Sequence, residues 1–240
     1  MNRDLTKGPV VRSMLLFAIP MILGDLLQQC YNIADTLIVG QFLGRNALAA
    51  VGSAFTLMTF LTSVILGLAW AAARCFPCVS GSGTKLLRES LCASFYCIAL
   101  ITVLLNLIAF ACLDGLRIFL RVPAEVWGDM RVYLFLVFLG IPAIFLYNFF
   151  ASYLRAIGNS VIPLVFLAVS SVLNIVLDLW FVVGLNKAVA GAAQATVIAQ
   201  YISGVGIAVY TGCAFRRCAR LQDRAPYAHR GSGKYSPIPR

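Results

Sequence analysis

Charge is what this chain has least of. Only 12% of its 240 residues are Asp, Glu, Lys or Arg, about half the share of a soluble globular domain. No soluble core could hide the apolar surface that goes with this, a mean hydropathy of +0.89. Acidic residues are scarcer still, at 9 against 19 basic ones. In a soluble protein that excess would suggest nucleic acid. Here the basic residues sit between apolar runs and in the tail, so anionic headgroups and membrane orientation account for them and no nucleic-acid partner is implied. Histidine occurs once, as His229, which leaves little for a metal centre. Cys75-Phe-Pro-Cys78 is a lone C-x-x-C with no second pair or nearby histidine, short of the four ligands of structural zinc. Cys30, Cys92, Cys97 and Cys112 fall inside apolar runs, where a thiol behaves as a small hydrophobe. No Gly-rich phosphate loop or hydrolase nucleophile constellation is found. The reading is therefore of a non-enzyme that needs no cofactor.

Long hydrophobic runs are abundant. A helix needs about 20 residues to cross roughly 30 Å of hydrocarbon. Six stretches qualify, at about 13–40, 46–73, 90–113, 130–153, 161–184 and 188–210. The expected fold is all-α, a polytopic bundle of six transmembrane helices over 13–210, after a basic N-terminus at 1–12. A basic tail at 211–240 reads as disordered. The first run is too long for a signal-peptide core and lacks a small-residue cleavage site, so it reads as the first span. Pro20, Pro142 and Pro163 fall within or at the edge of spans, where neighbouring helices tolerate them. Trp70, Trp127 and Trp180 lie near span ends, as interfacial anchors do.

With the N-terminus inside, inner segments hold fourteen Lys and Arg and outer ones five, or seven against five without the tail. This predicts a multi-pass plasma (inner) membrane protein with both termini cytoplasmic. Arg155 and Asn159, beside Gly158, then belong to an inner loop that meets headgroups.

Against this background a few polar residues stand out. Asp35 and Asp178 lie inside spans one and five, where a carboxylate costs on the order of 2.5–3.5 kcal/mol on insertion scales. Such residues usually face a bundle interior and mark an ion or proton pathway. Asp35 precedes Gly40 by five residues and Asp178 precedes Gly184 by six. At about 1.5 Å per residue both sit some 8–9 Å below the outer end. Thr196, eight residues after Ala188, comes roughly 12 Å deep from the same side. Asn174 is one turn below Asp178 on the same face. Three helices thus bring polar groups to one layer. The bland alternative is interhelical hydrogen bonding alone. Asp25 lies about 15 Å deeper than Asp35, on another face, as a cavity-lining or satisfied core residue. Gln28, Gln29, Asn32 and Asn148 read as cavity wall or packing.

Several separate stretches, in order, carry a resemblance. They are Ile19-Pro20 with LLQQCYNIADTLIVGQFLG (26–44), FLGIPAIFLYNFFASYLRAIGN (138–159), SSVLNIVLDLWFV (170–182) and AGAAQATVIAQ (190–200). Over about residues 5–210 the chain resembles the multidrug and toxic compound extrusion (MATE) transporters. The resemblance implies an antiporter that exports organic, often cationic and amphipathic, compounds in exchange for Na⁺ or H⁺. Residue by residue, it places the cation or proton site on Asp35, Asn174, Asp178 and Thr196, with Tyr31 one turn before Asp35. Na⁺ there would be held by hard oxygen ligands; alternatively a carboxylate takes the proton. That family has twelve spans in two lobes, whereas this sequence offers six, one lobe. A second lobe or a homodimer partner is then expected. The segments WAAARCFPCVSGSGTK (70–85) and the tail beyond Thr211 depart from the family pattern, as genuine divergence would leave them, or a compensated frameshift in the first and a second, truncating frameshift in the tail. Two alternatives follow: a truncated membrane fragment without transport activity, and a lipid-linked glycan flippase of the same superfamily, which would favour a more basic cavity.

Overall fold

The computed structural model describes residues 10–80, 84–115 and 123–223, and side chains within these from 14–73, 89–115 and 123–213. They form six long helices with no strand among the described residues: α1 Val10–Phe42, α2 Arg45–Ser80, α3 Thr84–Ala111, α4 Ala124–Ala156, α5 Val161–Asp178 and α6 Ala188–Asp223. All six contain a stretch long and apolar enough to span a membrane. In hydrocarbon every backbone N–H and C=O must be paired internally, and helices do this within one segment.

Several ends differ from the expected spans. α4 begins at Ala124, because Pro123 supplies a pre-set φ of −56° and Glu125 sits in the first turn, where an acid favours the helix dipole. α6 continues to Asp223, so the first part of the segment read as a disordered tail carries on the last helix. Residues 224–240 lie outside the described part. α2 runs to Ser80, through Cys75 and Cys78, whose side chains are likewise outside it. Gly44 and Gly158 take φ values of 86° and 83°, the left-handed region that ends a helix cheaply only at glycine. After Gly158, α5 starts at once. α5 then widens over Leu179–Gly184 into a π-helical turn, closed by the Leu185 N–H donating to the Trp180 carbonyl at 2.9 Å.

α4 is the central post. It packs on α2, α3, α5 and α6, whereas α1 leans chiefly on α5. Phe138, Phe149, Met130 and Leu134 of α4 are among the largest fully buried side chains, and Phe95, Phe145, Phe149 and Phe150 form a cluster of ring contacts between α3 and α4. α4 and α6 approach closely: a Cβ at Gly204 would lie 2.6 Å from the Ala143 carbonyl oxygen. By contrast, only 6% of the most apolar stretch of α1 is buried.

The prolines are braced from other helices. Pro142 has no N–H, which orphans the Phe138 carbonyl one turn before it. Asn106 of α3 donates its Nδ2 to that carbonyl at 3.1 Å, and Tyr201 of α6 donates its hydroxyl to the adjacent Leu139 carbonyl at 2.9 Å. Next to Pro20 the Phe17 carbonyl accepts the Ser160 hydroxyl at 3.3 Å.

Candidate functional site

α1, α5 and α6 carry the polar layer. Asp35 and Thr196 are each 9% exposed, Asn174 2% and Asp178 0%. None of them faces lipid. Asn174 and Asp178 project together because four residues return a helix to nearly the same face. The Asn174 amide Nδ2 donates to Thr196 Oγ1 at 3.3 Å, tying α5 to α6.

The remaining oxygens are unpaired. Asp35 Oδ1, Asn174 Oδ1 and both carboxylate oxygens of Asp178 are buried and accept no hydrogen bond. Helix glue would have used them. Four acceptor atoms with no donor in an apolar surround cost several kcal/mol as they stand. A proton or an oxygen-seeking cation is what such a set lacks. Among the described residues no ion pair offsets these charges; the one pair found, Arg131 with Asp114 at 3.2 Å, is exposed elsewhere. Nor do the described residues group three His, Cys, Asp or Glu side chains around one point.

A cavity of about 580 Å³ opens beside this layer, walled by α1, α2, α4, α5 and α6. Asp35, Asn174 and Thr196 line it, and so do Tyr31, Asp25, Gln28 and Asn148. Asp178 does not. It stands one turn beyond Asn174, sealed behind it. Asp25 and Gln28 are left uncovered on α1 by the rest of the bundle. Asn148 spends its Nδ2 on the Ile144 carbonyl of its own helix at 2.8 Å. A second cavity, of about 400 Å³, shares Gln29, Asn32, Asp35, Phe55 and Tyr133 with the first and lies between α1 and α2.

Three cavity residues were not anticipated. Tyr133 is buried on α4, lines both cavities and lies within electrostatic reach of Asp35, Tyr31 and Asp178. Nothing in the sequence separates it from the other aromatics of span four. Trp70 lines the cavity while staying largely exposed near the end of the second apolar span, which reaches Ala73. Trp127 packs against the core. Arg155 also lines the cavity, with its Nε buried, instead of meeting headgroups from a loop. Its position in the last turn of α4, short of Gly158, turns it inward.

Comparison with known proteins fits this geometry. The MatE family model matches residues 20–180. The chain is 32% identical to the probable multidrug resistance protein YpnP of Bacillus subtilis, over 83% of this chain and 45% of that protein. It is 27% identical to the multidrug export protein MepA of Staphylococcus saprophyticus, over 85% of this chain and 46% of that one. A crystal structure of MATE in complex with MaD3S superimposes with a TM-score of 0.80 at 25% identity, covering 87% of this chain and 47% of the other. The chain thus spans about half the length of the relatives it matches. With its six-helix fold, its MatE match and these relatives, it belongs to the multidrug and toxic compound extrusion family.

Proposed function

We propose that this six-helix bundle is the ion-coupling half of a multidrug antiporter. It exports organic cations or similar xenobiotics in exchange for Na⁺ or H⁺. One observation carries the reading: the buried, donorless oxygens of Asp35, Asn174 and Asp178 stand at and directly behind the wall of a wide cavity. In this reading a cation at Asp35, Asn174, Asp178 and Thr196 discharges the layer. Once neutral, the layer no longer favours a cationic substrate in the cavity, and the substrate leaves. α1 is the element suited to move, being the least embedded and interrupted by Pro20. A ligand shifts such an equilibrium only by its differential affinity for the two states. The change in charge supplies that difference.

The bias of Lys and Arg supports a plasma-membrane orientation with both termini cytoplasmic. A second six-helix half would close the pathway. Substrate sites commonly lie between paired repeats.

The test is transport by the chain in liposomes, with a lipophilic fluorescent cation and an imposed Na⁺ or proton gradient. Gradient-driven movement of the dye is expected, and Asp178→Asn should abolish it. Undiminished movement in that variant would refute the assignment. The half-length span of the relatives favours a second reading, a membrane fragment without transport; it predicts no gradient-driven movement in the unaltered chain.

A further inference from the structure

The second cavity, between α1 and α2, has a mostly apolar wall. Its α2 side is Leu48, Val51, Gly52 and Phe55, one helical face at i, i+3, i+4 and i+7. The polar groups that α1 brings to it are mostly engaged on their own helix. The Thr36 hydroxyl donates to the Asn32 carbonyl at 2.8 Å, and the Asn32 amide donates to Gln29 Oε1 at 3.1 Å. The lining runs from exposed Ile33, Leu37 and Phe55 to buried Val51, Tyr133 and Asp35. Asp35 Oδ1 has no partner. The result is an apolar pocket with a carboxylate in its wall, and its volume of about 400 Å³ is in the range that holds a small organic ligand. Gly52 makes a second point. A Cβ there would meet nothing within 4 Å, so no neighbour requires the glycine. Glycine inside a helix is destabilising relative to alanine; here it leaves the cavity open.

Asp35, Tyr133 and Phe55 belong to both cavities, as do Gln29 and Asn32. The two spaces therefore adjoin beside Asp35. An ammonium group at this junction has a carboxylate and two aromatic rings in its wall, the surround that favours organic cations. We propose that the second cavity holds the apolar tail of an amphiphilic cation whose ammonium group sits beside Asp35. A phospholipid chain shares the tail's chemistry, but it would bring an anionic phosphate toward the carboxylate. The proposal rests on Asp35 lying on the cation route, and it adds a place for the uncharged part of the substrate.

The experiment uses the full chain in phosphatidylcholine nanodiscs and reads fluorescence anisotropy. Two probes share one fluorescent quaternary ammonium head; one carries a decyl tail and the other a methyl group. In Gly52→Leu the tailed probe should bind about tenfold more weakly, the lower end of what misfit in an apolar pocket costs. The short probe should bind that variant as before, which also shows that the variant is folded. Gly52→Ala should give an intermediate value for the tailed probe, and Asp35→Asn should weaken both probes. Unchanged binding of the tailed probe to Gly52→Leu overturns the proposal. So does an equal weakening of both probes in that variant. If Asp35→Asn still weakens the short probe in these cases, the cation route stands and only the tail pocket falls. If the short probe does not bind the unaltered chain, or ignores Asp35→Asn, both readings fall. A neutral alcohol with the same fluorophore and decyl tail identifies the source of the tail. Should it bind as tightly as the tailed cation and weaken equally in Gly52→Leu, the pocket belongs to a lipid chain and its assignment to substrate is overturned.

Discussion

Thr196 links the two roles a polar residue can play inside a bundle. Its hydroxyl accepts the Asn174 amide across α5 and α6, and the Asn174 amide oxygen on the same side chain accepts nothing. Thr196→Val removes the first contact and should cost about 0.6 kcal/mol of stability and at most about 1.7, the mean and the maximum measured for such bonds in membranes. If the hydroxyl also ligates the coupling cation, the same variant lowers cation affinity by roughly tenfold. A cation titration of the unaltered and variant proteins separates these effects; unchanged affinity leaves Thr196 a structural link only. This layer was legible in the sequence because acids are so rare there. Asp35 and Asp178 interrupt apolar runs, and helical rise alone puts them at one depth. Tyr133 and Arg155 were not legible. An aromatic in an apolar span has no mark of its function, and an arginine at a span end looks the same whether it turns to headgroups or to a cavity.

The six helices followed from hydrophobic run length, since hydrocarbon leaves the backbone few alternatives. Their ends followed less well. Polar residues at 124–129 hid the start of α4, and the basic segment after 210 hid the continuation of α6. The π-helical turn at Leu179–Gly184 had no compositional cue; it packs against α6 and α1. The proline braces make a sharper test at this scale. Asn106→Leu should orphan the Phe138 carbonyl and cost about 1–3 kcal/mol, read as a shift in thermal or denaturant unfolding. Adding Pro142→Ala restores an N–H to the same carbonyl, so the double variant should recover most of the loss. A purely additive pair would mean that Asn106 does not serve the kink. Gly204→Leu should fail more completely, because its Cβ would lie 2.6 Å from the Ala143 carbonyl oxygen and α4 cannot give way. Little folded protein should be recovered by size-exclusion chromatography; a normal yield would show that α4 and α6 can separate.

For the whole molecule, the contrast is between a fixed post and a loosely held neighbour. α4 is gripped on several sides, α1 on little more than one, and the buried acids lie on α1 and on α5, the helix it leans against. The central claim is that this layer exists to take up positive charge. Its most direct measurement is the thermal unfolding of the purified chain, titrated with Na⁺ at constant ionic strength and, separately, with protons. A ligand that binds only the folded state stabilises it by RT ln(1 + [L]/Kd), about 2.7 kcal/mol at a hundredfold excess over Kd. The account predicts a saturable rise in Tm with one of the two cations, lost when Asp35→Asn and Asp178→Asn are combined. No rise with either cation, or a rise that survives in the double variant, would contradict it.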